Sequence, residues 1–515
     1  MIVTGGEPVD LLVIGGGING TGVARDAAGR GLSVVLCEQN DLAGGTSSAS
    51  TKLIHGRLRD LEHHAFRRVR ESLIERDVLL RAAPHIIWPM RFVLPHAADQ
   101  RPAWRVRLGL LLYDQLGGRR GLPRSRRIKL QRAPVGGALK PEIGTAFSYD
   151  DCWVEDSRLV VLNAVDAAER GAEILTRTRC AVARRSDGLW YATLTPAGGG
   201  RARVVRARAL INATGPWVTD LLEQTFGMAG SASVRLVKGS HIIVPRLFEG
   251  EHALTLRHTD GREIFVIPYE RRYSLIGATD LPYAGDPAEV AVEDEEIAYL
   301  CAAVNRYLRQ PVTPEKVLWT FAGVRPLHDD QSADPRARTL DDAFALDLGD
   351  GDEAPLVSVF GGQLTTCRKL AEQILDRLRP ALGFAAGPWT ADRPLPGGDL
   401  PEADFERFLQ DFLTRRNWLP SMLARRYARA YGTRVDTLLG EAERIADLGE
   451  HLGEGLYEIE VEYLVRKEFA EAAEDILWRR SKLGLHVSET TVARLGAWLR
   501  RNTRVIEAAA VAAGS

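Results

Sequence analysis

The sequence predicts an α/β protein with a Rossmann-like dinucleotide-binding domain, an antiparallel β domain and an α-helical C-terminal domain. Three observations predict it: a strand, glycine loop, helix, strand and acid in order over residues 10–38, β-branched and aromatic runs between residues 234 and 278, and helical periodicity alone beyond residue 398. In the first unit, DLLVIGGGINGTGVARDAAGRGLSVVLCE, residues 11–14 read as a buried parallel strand. Gly15, Gly17 and Gly20 then give G-x-G-x-x-G, with Ile18 and Asn19 between the last two, at the opening of a helix. Gly15 permits the tight turn, Gly17 lets the backbone approach a pyrophosphate, and Gly20 lets helix pack on strand. The helix N-terminus offers free N–H groups and partial positive charge to the phosphates. A second strand over residues 32–36 leads to Glu38, whose carboxylate can accept from both ribose hydroxyls, and to Gln39.

Composition bounds the class. A chain of 515 residues is long enough for about three domains and a large buried core. Its net charge of −1 and 45% hydrophobic content describe an enzyme body rather than a nucleic-acid binder, so a charged partner must meet a local patch. The five cysteines, Cys37, Cys152, Cys180, Cys301 and Cys367, are odd in number and without C-x-x-C spacing, which points to a reducing compartment and to no zinc site. No apolar run approaches the roughly 18–20 residues of a membrane span, and no basic region precedes the first apolar run. The expected location is therefore the cytoplasm, with membrane contact peripheral. Residues 101–117 suggest that contact, mixing Trp104, Leu108, Leu110, Leu111, Leu112 and Tyr113 with arginines. Residues 119–132 add Arg119, Arg120, Arg124, Arg126, Arg127, Lys129 and Arg132 without one acid. An anionic leaflet attracts such a pair of segments; the bland alternative is a core helix followed by a solvated loop.

The dinucleotide domain is expected to be discontinuous, from residues 1–80, 150–230 and 340–395. Within it, residues 66–83 read as a helix, residues 209–213 as a strand ending in Thr214-Gly215-Pro216-Trp217, and residues 356–360 as a strand before Gly361-Gly362. Residues 81–149 and 231–339 form the substrate and membrane-contact domain, with strands over 234–244, 263–269 and 273–278. After a Pro/Gly hinge at 395–398, residues 396–515 form the helical domain, with helices over 405–415, 422–431, 456–469 and 492–500.

Such a module can hold NAD or FAD. NAD enzymes leave the nicotinamide in an open cleft, whereas an isoalloxazine is gripped by several separate segments. Three are present: residues 44–53, with Thr46, Ser47, Ser48, Thr51, Lys52 and Leu53; residues 213–217, with Ala213, Thr214, Gly215 and Trp217; and residues 360–366, with Gly361, Gly362, Gln363, Leu364 and Thr365. FAD is therefore favoured. The last segment opens a helix whose N-terminus, aimed at the flavin O2, would stabilise the anionic reduced ring.

The runs DLAGGTSSASTKLIHG, RFVLPH, SYDDCWVEDSRLV, NATGPWV, KGSHIIVP, TFAGVRPL and SVFGGQLTTCRKLAE, with the glycine unit, resemble the FAD-dependent glycerol-3-phosphate dehydrogenases of aerobic respiration, within the glycine-oxidase/DAO-like flavoproteins. The resemblance covers nearly the whole chain. It implies oxidation of sn-glycerol 3-phosphate to dihydroxyacetone phosphate, with electrons passed through FAD to membrane quinone. It also implies a place on the cytoplasmic face of the inner membrane; a homodimer is the expected assembly. Arg59 and Arg325 match the family's substrate-binding arginines, suited to bidentate contact with phosphate. His55 matches its active-site histidine, which can take the hydroxyl proton as hydride leaves C2, and His241 is the second candidate base. Alone, each of these residues reads as a structural histidine or a surface ion pair; the surrounding motif gives the other reading. Glu62, His63 and His64 read as a polar helix face, and no metal set is formed.

Three positions depart from the family pattern. H-G-G-x-R-Y becomes His55-Gly56-Arg57-Leu58-Arg59-Asp60, and G-G-K becomes Gly361-Gly362-Gln363. Phosphate affinity is expected to fall unless Arg57 pairs with Asp60 and leaves Arg59 free, and Arg57 costs roughly 1–2 kcal/mol if the backbone there is left-handed. FAD binding is expected to survive these changes, with turnover weakened. Alternatives remain open: a glycerophosphate oxidase using oxygen, an amine or amino-acid oxidase of the same fold, or a flavoprotein sensor.

Overall fold

The computed structural model describes residues 3–4, 6–97, 102–117, 122–130, 134–228, 234–328, 343–349 and 353–502. Two sheets organise the first three quarters of the chain. The first has a parallel core in the order Leu356–Val359, Arg203–Asn212, Val9–Ile14, Val34–Cys37, Glu173–Leu175. The chain enters this core from four separated regions, so the dinucleotide fold is discontinuous. Leu11 to Ile14 are buried, as a strand covered on both faces requires. The helices Ile18–Gly29, Asp156–Glu169 and Cys367–Leu382 pack together on one face, over Leu11, Val13, Leu36 and Val357. An antiparallel ribbon, Thr178–Ser186 with Leu189–Pro196, extends from Arg203–Asn212.

The second sheet has ten described strands and is largely antiparallel. Its strands Val234–Pro245, Glu263–Tyr269 and Tyr273–Gly277 lie within a residue of the sequence expectation. Two long strands, Ile87–His96 and Thr145–Val154, join them; Pro89 and Pro95 hide the period of the first. The short strand Leu53–Ile54 pairs with Trp153 and Cys152, tying the loop that follows the glycine unit to this sheet. His55 is therefore delivered to the junction between the two sheets.

The C-terminal domain has its own core around Phe412, Tyr427, Leu464 and Trp498. Its helix Glu458–Glu468 starts later than the sequence suggests, because Leu456–Tyr457 turns back on His451–Gly453 as a short hairpin. Buried ion pairs fasten the domain to the cofactor domain: Arg480 to Asp41 at 2.7 Å, Arg177 to Asp475 at 2.8 Å, and Arg158 to Glu468. Each charge there is matched, so removing one partner would strand the other.

Candidate active site

A cavity of about 690 Å³ runs from the glycine loop to the antiparallel sheet. It is lined by every cofactor-binding and catalytic candidate named from the sequence except Gly20 and Ser48. Gly20 acts in packing: a Cβ there would lie 1.9 Å from the Gly15 carbonyl oxygen. Ser48 turns its hydroxyl to the Gly45 carbonyl, and its own carbonyl accepts from Lys52 Nζ.

At the cofactor end, Gly15 has φ +115 and a Cβ there would meet the Ala213 carbonyl at 2.4 Å, so only glycine fits. Helix Ile18–Gly29 starts at Gly17 and points its first turn into the cavity, where Ser47 Oγ accepts from the Ile18 N–H at 3.0 Å. Glu38 accepts from the N–H groups of Gly16 (2.7 Å) and Asn40 (2.8 Å), and burial pushes its carboxyl up. Asn19 donates to the Gly361 carbonyl at 2.8 Å, while its Oδ1 is buried with no partner. An orphaned acceptor beside a glycine cradle, with the three separate segments converging on one space, fits an extended flavin dinucleotide. Lys52 lines the same wall, but its ammonium is held by Asp156 at 2.7 Å.

At the far end the antiparallel sheet supplies the polar groups. Strand Trp319–His328 pairs with Val234–Pro245, His241 opposite Phe321 and Gly239 opposite Gly323. Period 2 puts Phe321, Gly323 and Arg325 on one face. His241 stacks on Phe321 with ring centroids 4.7 Å apart, and its Nε2 lies 3.0 Å from Thr51 Oγ1. Burial, then the Lys52 charge, pushes the His241 imidazole down to about 3. His55 is pushed down to about 4 by burial and then by Arg57. Both rings are therefore neutral near pH 7 and can accept a proton.

Arg325 is half exposed toward the cavity and contacts Asp280 at 2.7 Å. Arg59 has no hydrogen bond or ion pair among the described residues; its charge offsets the upward push of burial on Glu263. Arg57 has φ 59 and ψ 57, a left-handed backbone that costs a non-glycine residue roughly 1–2 kcal/mol. Its Nε lies 2.9 Å from Asp60 Oδ2, so the pairing that frees Arg59 is present. Sequence reasoning did not find Arg262, Glu263, Phe265, Thr279 or Asp280, which line this end and sit at strand edges without a motif. It also set His63 on a polar face, whereas His63 lines the cavity.

The geometry defines a flavoprotein oxidoreductase, and comparisons with known proteins agree. Residues 10–368 match the family of FAD-dependent oxidoreductases, and residues 388–499 match the C-terminal domain of alpha-glycerophosphate oxidase. A glycerol-3-phosphate dehydrogenase of Pseudomonas aeruginosa is 54% identical over 96% of this chain and 95% of its own. A D-erythritol 1-phosphate dehydrogenase of Brucella abortus is 52% identical, covering 96% and 98%. The structure of glycerol-3-phosphate dehydrogenase from Bacillus halodurans complexed with FAD superposes with a TM-score of 0.76 at 27% identity, over 98% of this chain and 93% of that one. The chain belongs to the family of FAD-dependent glycerol-3-phosphate dehydrogenases. Its cofactor is FAD.

Proposed function

We propose that the protein oxidises sn-glycerol 3-phosphate to dihydroxyacetone phosphate and passes the electrons to a membrane quinone. The observation that carries the reading is the convergence of Arg59, Arg325, His55 and His241 at one end of the flavin cradle. FAD bound there supplies a two-electron acceptor for the hydride at C2. Arg59 and Arg325 hold the phosphate, and Arg59 has no ion pair among the described residues to give up first. His55 takes the hydroxyl proton on its neutral ring, and Thr51 fixes the His241 ring through Nε2 at 3.0 Å. The Brucella relative's name and the carboxylates Glu263 and Asp280, which can accept from further hydroxyls, favour a second reading: a longer polyol phosphate.

Contact with a membrane is part of the proposal. On helix Ala103–Leu116, Trp104, Leu108, Leu111 and Leu112 fall at helical spacing on one exposed face, while Leu110 and Tyr113 are buried beneath. Arg126 and Lys129 stand exposed on the next strand. Arg124 and Arg127 are exposed as well, and the remaining basic residues expected to contribute, Arg119, Arg120 and Arg132, lie outside the described residues. Among the described residues no helix is long and apolar enough to cross a bilayer. The cytoplasmic leaflet, rich in anionic lipid, suits this surface.

The test is anaerobic. The purified yellow protein is mixed with glycerol 3-phosphate and, separately, erythritol phosphate, and flavin absorbance is followed. Bleaching by the first at low concentration supports the main reading, and selective bleaching by the second supports the longer substrate. Absorbance unchanged by saturating glycerol 3-phosphate refutes the main reading.

A further inference from the structure

We infer that Arg57 is a substrate-binding residue, a third guanidinium that grips the substrate phosphate together with Arg59 and Arg325, and that buried Asp60 is the positioning residue that aims it. This rests on the reading of the substrate as a phosphate ester.

All three arginines line the same end of the same cavity. Arg57 and Arg325 are close enough for the charge of one to depress the protonation of the other. Two like charges brought together in a partly buried site cost energy until an anion with at least two acceptor oxygens lies between them. Asp60 is 7% exposed and pairs with Arg57, and Arg68 Nη1 lies 3.7 Å from the same carboxylate oxygen, Oδ2. Asp60 accepts a hydrogen bond from Arg57 Nη2 at 3.4 Å on Oδ1, and its Oδ2 forms an ion pair with Nε at 2.9 Å. A guanidinium carries five N–H donors and one is hydrogen-bonded to Asp60, so others remain for an oxyanion in the cavity that Arg57 lines. The backbone argues the same way. A left-handed arginine is an uncommon conformation, and it persists here where a glycine would fit without strain, at the mouth of the site.

Gln363, which also lines the cavity, is a neutral side chain that can donate to an oxyanion but cannot balance its charge. With Asp280 2.7 Å from Arg325, Asp60 2.9 Å from Arg57 and Glu263 within the field of Arg59, part of each positive charge is already offset. A phosphate of about −1.5 to −2 charge carries more acceptor oxygens than two guanidiniums satisfy, and a third adds donors for the rest.

The experiment compares wild type, R57G and the double variant R57G/D60N. The double variant removes the pair without stranding a buried carboxylate, and decides the question if the single variant does not fold. Flavin content is measured first. The apparent dissociation constant for glycerol 3-phosphate is then taken from anaerobic flavin reduction, and inorganic phosphate is titrated as a competing probe. The expected result is native flavin content, with both constants raised about 10-fold or more, the limiting reduction rate changed much less, and partial recovery on adding guanidinium ion. Constants within twofold of wild type for both ligands overturn the inference. A wild-type flavin that glycerol 3-phosphate fails to bleach refutes the proposed substrate instead; the phosphate titration, read from the flavin spectrum, then still decides whether Arg57 binds an oxyanion.

Discussion

The two ends of the cavity are built by different means. At the cofactor end the backbone does the recognising: Gly15, Gly17 and the first turn of Ile18–Gly29 leave room and N–H groups for a dinucleotide, and side chains serve mainly to hold the loop. At the substrate end side chains on separate strands do it, with Arg59, Arg325, His55 and His241 meeting only because the chain folds. The first end therefore depends on the absence of atoms and the second on their presence. Mutations should fail differently at each.

The largest effect is expected at Gly20. A methyl group placed 1.9 Å from the Gly15 carbonyl must push helix from strand, because neither partner is a flexible side chain. Gly20→Ala should yield protein without FAD, or no folded protein, seen as loss of yellow colour on purification. Normal flavin content in that variant would break the comparison, since the backbone would then tolerate an added atom.

An intermediate effect belongs to the other end. Arg325→Ala should keep full flavin content and lose about 10–150-fold in kcat/KM, the worth of one charged hydrogen-bonded contact of roughly 1.5–3 kcal/mol. Arg59→Ala should lose at least as much, because Arg59 makes no hydrogen bond or ion pair among the described residues and feels Glu263 only through its field, whereas Arg325 contacts Asp280 at 2.7 Å. Flavin loss in either variant would mean that the two ends are not separable.

This contrast also decides what the sequence reveals. Glycine spacing, flanking strands and Glu38 are local, so the cofactor end is legible within about thirty residues. The convergence of residues 44–53, 213–217 and 360–366 follows from the same logic of short apolar strands ending in small-residue turns. Arg59, Arg325, His55 and His241 are legible only through motif resemblance, for nothing in their spacing brings them together. Glu263 and Asp280 carry no signal, since a carboxylate at a strand edge resembles any solvated one. Arg57 and Asp60 lie between: three residues apart, they read as a pair, yet the left-handed backbone and the direction of the guanidinium come from the fold. The interdomain pair of Asp41 with Arg480 joins residues 439 apart and is invisible in sequence for that reason.

The smallest effect probes protonation at the substrate end. His241 is 2% exposed, and burial holds it down to about 3 against an ordinary 6.5. Between these values the unfolded chain binds a proton that the folded protein does not, so stability rises with pH across the window and is lost as pH falls below 6.5. The slope for one such group is at most about 1.4 kcal/mol per pH unit. Other groups titrate in the same range; Glu38 and Asp151, whose carboxyls burial pushes up, act in the opposite sense. A difference measurement isolates the ring. Urea midpoints of wild type and His241→Gln, taken from pH 7.5 to pH 4.5, should diverge least at the acid end, because the variant has no imidazole to protonate on unfolding. Parallel curves would mean that His241 takes up its proton in the folded protein near pH 6 as a solvated imidazole does, so that burial beside Lys52 does not hold it down.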